Sequence, residues 1–403
     1  MISSSKPQIG RPAFRSVLFA VAIVSFAGMH PVQGATFQIN DPDEFSRIID
    51  TTNAVVTTNA VINSWLEGPV WIPSDGGYLV FCDQGNNRLK KLVPPGTVTD
   101  YLQPPANTLY NGTILDAHER LLAVAAGSAG LRVVMITNGV EEVLATTCNG
   151  LRFYSPNDLV EKSDGTIWFT DPGYNGGVGN PPQPGFQPSY GVYQFTPPDG
   201  DATCVPVITS GISRPNGLCF SPDESRLYVA DTEWNRHRIL VYDVSPSNTL
   251  SGGTVFANID NGAPDGIRCD VDGRVWSSAG DGVHIFAPDG HLIGKILFNR
   301  TANLCFGGPE YKTLYMTGQP VVASITVLVA GIPSVKKLDY HMAGDTLTFS
   351  WPAPSTGFEL SQASALGEDT IWTNVNASII VSNDQNQVTL ETTNAAAYYR
   401  LRL

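Results

Sequence analysis

Six residues with oxygen-bearing side chains each open a short apolar run. They are Glu67 in E-G-P-V-W (67–71), Asn111 in N-G-T-I-L (111–115), Asn157 in P-N-D-L-V (156–160), Asn216 in P-N-G-L-C (215–219), Asp265 in P-D-G-I-R (264–268) and Asn303 in N-L-C-F-G-G (303–308). Glu67 and Asp265 are carboxylates; Asn157 and Asn216 offer neutral carbonyl oxygens, and neither histidine nor cysteine belongs to the set. Gathered in one place, such groups make a hard oxygen cage with room for water. That donor set suits Ca²⁺, which takes about six to eight oxygens; it disfavours soft-ligand metals, and Mg²⁺ usually prefers more water. A cation so held polarises a bound carbonyl, and a carboxylate beside it can orient and deprotonate water.

The elements around these residues repeat. Each opening run is followed by a second one: Y-L-V-F (78–81), L-L-A-V (121–124), T-I-W-F-T (166–170), R-L-Y-V-A (226–230), R-V-W-S-S (274–278) and T-L-Y-M-T (313–317). Turn signals such as Ser163-Asp164-Gly165 and Pro222-Asp223-Glu224 separate the two runs. Units of about 45 residues with four short strands each predict a β-propeller, and six units predict six blades. The fold expected is therefore all-β: a six-bladed β-propeller over residues 35–332, with Val55–Ile62 as a strand that closes the ring. The first strand of each blade lines the axis, so the six residues should converge at one mouth, joined by Asp83, Asp171 and Asp231 from the ends of second strands. An insertion from Asp171 to Gly191, rich in Gly and Pro and carrying Tyr174, Phe186 and Tyr190, is placed to form a lid there.

The 403-residue chain has 39 Gly, 29 Pro and only 15 % charged residues, which suits a turn-rich β protein. Its net charge of −13 and lack of a basic stripe argue against nucleic acid as a partner. Residues 1–34 read as a cleaved export signal: Lys6, Arg11 and Arg15 precede an apolar run from Val17 to Ala27, and small residues lead to Ala35. That run is shorter than the roughly 20 residues a membrane span needs, so a secreted or periplasmic protein without a span is expected. Among six cysteines, Cys82, Cys219, Cys269 and Cys305 fall inside expected strands as buried free thiols, leaving Cys148 and Cys204 as the pair to test for a disulfide. Residues 333–403 change character, with alternating runs that predict a small β-sandwich-like module.

Other catalytic schemes find little support. Ala126-Gly127-Ser128-Ala129-Gly130 half-matches a nucleophile elbow without the strand-to-helix turn it requires. His118, His237, His284 and His291 show no paired metal-ligand spacing. Trp71, Trp168 and Trp276 on inner strands are expected to be packing residues.

The motifs E-G-P-V-W, S-P-N-D-L-V-x-K-S-D-G-T-I-W-F-T-D-P-G-Y, R-P-N-G-L-x-F-S-P-D, G-A-P-D-G-I-R and N-L-C-F-G-G-P resemble those of the gluconolactonase, regucalcin (senescence marker protein) and luciferin-regenerating enzyme family, over roughly residues 60–320. The resemblance implies a six-bladed propeller with one catalytic divalent ion, usually Ca²⁺ and in some members Zn²⁺ or Mn²⁺. Carried over by motif, it implies Glu67, Asn157, Asn216 and Asp265 as ligands, Asp265 as general base with Asp171 second, and Asn157 touching both ion and substrate. Asn111, Tyr174 and Asn303 become substrate-facing candidates, and the substrate a small-molecule lactone or ester. Two departures matter. Ser155 stands where regucalcin-type members carry an arginine, and residues 123–130 lack the charged residues frequent in bacterial gluconolactonases. The mouth is therefore expected to be less polar, with room for less polar lactones. A non-catalytic binding propeller and a phosphotriesterase or arylesterase on the same site remain the alternatives, and the sequence leaves the oligomeric state open.

Overall fold

A computed structural model describes residues 33–34, 36–333, 339–352, 359–364, 372–382, 385–391 and 398–402. Nearly all of the expected export segment, and parts of the C-terminal runs such as Phe358, lie outside the described residues. The repeat becomes six antiparallel sheets. The first holds Leu66–Ile72, Tyr78–Asp83, Arg88–Val93 and Thr97–Leu102. The second begins at Tyr110–Leu115, the third at Leu159–Glu161, the fourth at Pro215–Phe220, the fifth at Ile267–Cys269 and the sixth at Thr301–Gly307. The starting strands lie beside one another in order, and the sixth returns to the first. Val55–Val61, from ahead of the first sheet, pairs with Val321–Thr326 as an outer strand of the sixth. That pairing ties the beginning of the repeat to its end.

Burial explains why the first two strands of each sheet read as unbroken apolar runs. Both faces are covered by neighbouring sheets, so no polar alternation is possible. Leu66–Ile72 and Tyr78–Asp83 are buried throughout, whereas no residue of Thr97–Leu102 at the outer edge is buried. Aromatic pairs stitch the sheets together. Trp168 meets Phe220 edge-on at 5.4 Å, Trp276 meets Phe306 at 5.3 Å, and Trp71 stacks on Tyr315 at 5.5 Å. All three tryptophans are thus packing residues between sheets, as their positions suggested.

Cys148 and Cys204 form a disulfide with a Cα–Cα separation of 5.1 Å, and Cys82, Cys219, Cys269 and Cys305 are buried free thiols. Beyond residue 338 lie two small sheets, one of four strands and one of three, around Phe349, Trp351, Leu360 and Val388. No helix among the described residues is long and apolar enough to cross a membrane.

Candidate active site

Glycine brings the six polar residues together. In Glu67-Gly68, Asn111-Gly112, Asn216-Gly217 and Asp265-Gly266 the glycine lies against the next sheet's first strand. Gly112 N donates to Asn157 O (2.7 Å), Gly217 N to Asp265 O (3.1 Å) and Gly266 N to Ala302 O (2.8 Å). A Cβ on Gly68 would collide with the Asn111 carbonyl, on Gly217 with the Asp265 carbonyl, and on Gly266 with the Asn303 side chain. These polar-glycine pairs are therefore not ordinary turns. They are places where adjacent strands nearly touch.

Glu67, Asn111, Asn157, Asn216 and Asn303 are all buried, and Asp265 is half-buried. Asn303 Nδ2 donates to Glu67 Oε2 (3.2 Å), joining residues far apart in the chain. Burial pushes the Glu67 carboxyl up to about 7, and repulsion from Asp158 adds to the effect; hydrogen bonds from Trp65, Asn303 and Gly68 oppose it. Burial also holds Asp265 well above the usual carboxylate range, helped by the charge of Glu67 and opposed by Arg300. Neither carboxylate has a lysine, arginine or histidine nitrogen within 4.0 Å among the described residues. The Asn111 and Asn157 amides, also buried, have no side-chain hydrogen bond among the described residues. Two desolvated carboxylates and open amide oxygens on one axis fit a hard divalent cation, which would supply the missing positive charge.

Tyr174 reaches this group from the insertion. The residue is 42 % exposed; its hydroxyl lies near Thr232 and Asn216, and desolvation of the hydroxyl followed by the charge of Asp265 raises its pKa. Thr232 Oγ1 in turn donates to the carbonyl of Pro264, next to Asp265 (2.6 Å). The rest of the insertion is clamped. Arg214 lies over the rings of Tyr190 (4.4 Å) and Tyr174 (5.4 Å) and donates to Pro172 O (2.5 Å). Gln183 N donates to the Tyr154 hydroxyl (2.9 Å). Asn175 N donates to Ser155 Oγ (3.1 Å), and Ser155 Oγ donates to Ala126 O (2.7 Å). Ser155, where an arginine was expected by resemblance, fastens the insertion to the second sheet.

Asp171 is engaged by the backbone: it is fully buried, and its two oxygens accept from Tyr154 N (2.8 Å) and Ser155 N (2.5 Å). Asp231 does the same for Ser213 N and Arg214 N, and Asp83 for Asn86. These aspartates at the ends of second strands brace the loops that lead into the site. Burial pushes Asp171 up to about 7 against those two amides, so it is ionised above that pH. At pH 8, Asp171→Asn should cost about 2–3 kcal/mol, since an amide can accept only one of the two bonds and turns an N–H toward the other donor. Urea unfolding should show a lower midpoint with an unchanged slope.

Sequence reasoning missed four participants. Trp65 Nε1 donates to Glu67 Oε1 (3.0 Å), and Arg300 covers the Trp65 ring at 4.6 Å. Thr232, near the Tyr174 hydroxyl, holds the Pro264 carbonyl beside Asp265. Asp158, fully buried and paired with Arg268 (3.2 Å), lies within electrostatic reach of both Glu67 and Asp265. Only Asp158 had a visible signal, its place in P-N-D.

Two other features are not the site. A cavity of about 770 Å³ lies toward the other ends of the same first strands, lined by Trp71, Leu115, Leu218, Arg268 and Phe306, and none of the six ring residues borders it. Asp260, Asp281 and His284 also cluster at metal-ligand spacing. Lys295 Nζ already sits 2.5 Å from Asp260 and 3.5 Å from Asp281, so one ammonium offsets part of their charge.

Fold and site together define a nearly all-β, propeller-like protein with an oxygen-lined polar centre where its inner strands meet. The chain belongs to the SMP-30/Gluconolactonase/LRE-like region family, which matches residues 65–319. It is 30 % identical over 363 residues to the gluconolactonase of Zymomonas mobilis, covering 80 % of this chain and 99 % of that one. A gluconolactonase structure from Xanthomonas campestris superposes with a TM-score of 0.64 at 30 % identity, covering 74 % of this chain and 99 % of that one. The calcium-binding protein regucalcin from Agrobacterium tumefaciens shares the fold at TM-score 0.54 and 19 % identity, covering 69 % and 94 %.

Proposed function

We propose that this chain is an exported hydrolase that opens lactones, working at the ring of Glu67, Asn157, Asn216 and Asp265 with a divalent cation, Ca²⁺ first and Zn²⁺ or Mn²⁺ as substitutes. The observation that carries this reading is the carboxylate pair, Glu67 buried and Asp265 half-buried, with no lysine, arginine or histidine nitrogen within 4.0 Å among the described residues; membership of a lactonase-containing family supports it. The same reading counts the six sheets as six blades of one closed propeller, residues 35–332. Residues 333–403 are then a separate β-sandwich-like module, and residues 1–34 a signal for a secreted or periplasmic protein.

The four ligand residues would hold the ion, which when bound polarises a lactone carbonyl and stabilises negative charge on its oxygen. Asp265 takes a proton from water, whose oxygen attacks the carbonyl carbon. The bond from that carbon to the ring oxygen breaks, and the departing oxygen receives the proton from Asp265. Tyr174, kept protonated, has one O–H to offer a bound substrate at the Asp265 side. Asn157, Asn111 and Asn303 orient the substrate, Trp65 and Asn303 fix Glu67, and Asp171 positions the loop carrying Asn157. A carboxylate beside a cation is a weak base, which matches an activated cyclic ester better than an amide.

The test follows proton release from a panel of lactones with Ca²⁺ and with chelator. Turnover with Ca²⁺ should fall at least about 100-fold under chelation and return on adding the ion back. Hydrolysis indifferent to chelation would remove the cation from the reading. Firm Ca²⁺ binding without turnover of any lactone or ester would make the protein a binding propeller instead.

A further inference from the structure

Trp234 is 87 % exposed, an unusual position for a side chain that is on average highly buried. It sits in the turn Glu233–His237, closed by Arg236 N donating to Glu233 O (2.9 Å). This turn leaves the fourth sheet at the site end, because Asp231 pairs with Pro215, the residue before Asn216. Two residues back, Thr232 Oγ1 donates to the Pro264 carbonyl (2.6 Å), and the Tyr174 hydroxyl lies near it. Glu233 Oε1 accepts from Trp234 N (2.9 Å), and Glu233 Oε2 lies 4.0 Å from Arg214 Nε, the arginine that clamps the insertion. A large aromatic ring is thus held in water by a braced turn, beside the group that carries Asn216, Tyr174 and Asp265. It makes no aromatic stack among the described residues.

The rim on the second-sheet side is small. Ser128 and Ala129 are exposed, and the buried Ser155 takes up little of the mouth. A single compact lactone bound at the ring would leave the Trp234 face unused. From this we infer, building on the lactonase reading, that the substrate carries a second ring beyond the lactone, a glycosyl or aryl substituent, and that Trp234 is the platform it stacks against. Trp234 is then a specificity-determining residue acting through binding, with no part in the bond-breaking step.

The experiment compares wild type, Trp234→Ala and Trp234→Phe on glucono-δ-lactone, cellobiono-δ-lactone and dihydrocoumarin. An exposed side chain can be truncated without loss of fold, so the variants remain comparable. Trp234→Ala should lower kcat/KM about fivefold to tenfold on a two-ring substrate, mainly through KM, while glucono-δ-lactone stays within about twofold. Trp234→Phe should restore most of the loss. A selective loss on cellobiono-δ-lactone assigns a glycosyl ring, and one on dihydrocoumarin an aryl ring. Equal losses on all three, or none on any, overturn the inference while leaving lactone hydrolysis intact. Should no lactone be turned over, the lactonase reading falls, and calorimetric binding of cellobionate and gluconate still decides. Weakening of cellobionate alone by Trp234→Ala supports the platform, and no difference overturns it.

Discussion

Asp265→Asn should lower kcat/KM on the best lactone by about 10³-fold, with the folded structure retained. The change is nearly isosteric, so Gly266 keeps its close approach to Ala302 O and Asn303. On the proposed mechanism, what disappears is the group that would take the proton from water, together with one of the two carboxylate charges. Removing a base typically costs about 10²–10⁴-fold, and a weakened cation adds to that. Glu67→Gln separates the two effects. Glu67 bonds to Trp65 and Asn303; if it serves the cation and not the water, as proposed, its variant should recover much of its rate when Ca²⁺ is raised. Asp265→Asn should not recover at any Ca²⁺ concentration. Titrating released acid at saturating Ca²⁺, with circular dichroism to confirm folding, decides the matter. An Asp265→Asn enzyme keeping more than a tenth of wild-type kcat/KM would strip this residue of its role.

The two variants also show what could be read before the structure. Glu67, Asn111, Asn157, Asn216, Asp265 and Asn303 announce themselves because a repeating fold repeats its exceptions. Each polar residue interrupts an apolar run at the same place, and four are followed by the glycine that lets the next strand approach. The sheets were legible for the same reason: strands buried on both faces must be continuously apolar. The backbone partners of Asp171 were not legible because the repeat gives the end of a strand but not the direction of a side chain. Successive residues alternate faces, and a terminal carboxylate that turns back to Tyr154 N and Ser155 N differs in no letter from one that faces the axis. Trp65, Arg300 and Thr232 lie outside the repeat; Trp65 bonds to nearby Glu67, but its contact with Arg300 and that of Thr232 with Pro264 join residues distant in the chain. Ser155 is the instructive case. Against the family pattern it reads as a loss, whereas in the fold it gains a job, binding Asn175 N and Ala126 O so that the insertion carrying Tyr174 stays in place.

Ca²⁺ should raise the melting temperature strongly at pH 8 and little at pH 5. Burial pushes Glu67 up to about 7, and Asp265 is also raised. Their unfolded values lie near about 4, so between about 4 and 7 the cation-free native chain holds protons that the unfolded chain has released. These carboxylates therefore stabilise the cation-free fold less and less as pH rises through that window. Cation binding demands the ionised pair and competes with those protons, so affinity weakens as pH falls below about 7. At a Ca²⁺ concentration about 1,000 times the dissociation constant, the stabilisation is about 4 kcal/mol, or roughly 6–10 °C for a domain of this size. Calorimetric scans with Ca²⁺ and with chelator at both pH values measure the difference. Glu67→Gln should flatten its pH dependence, because one of the two competing protonation sites is gone. A Ca²⁺ shift equal at pH 5 and pH 8, or unaltered by Glu67→Gln, would mean that the ion sits on other residues and that the buried pair answers to something else.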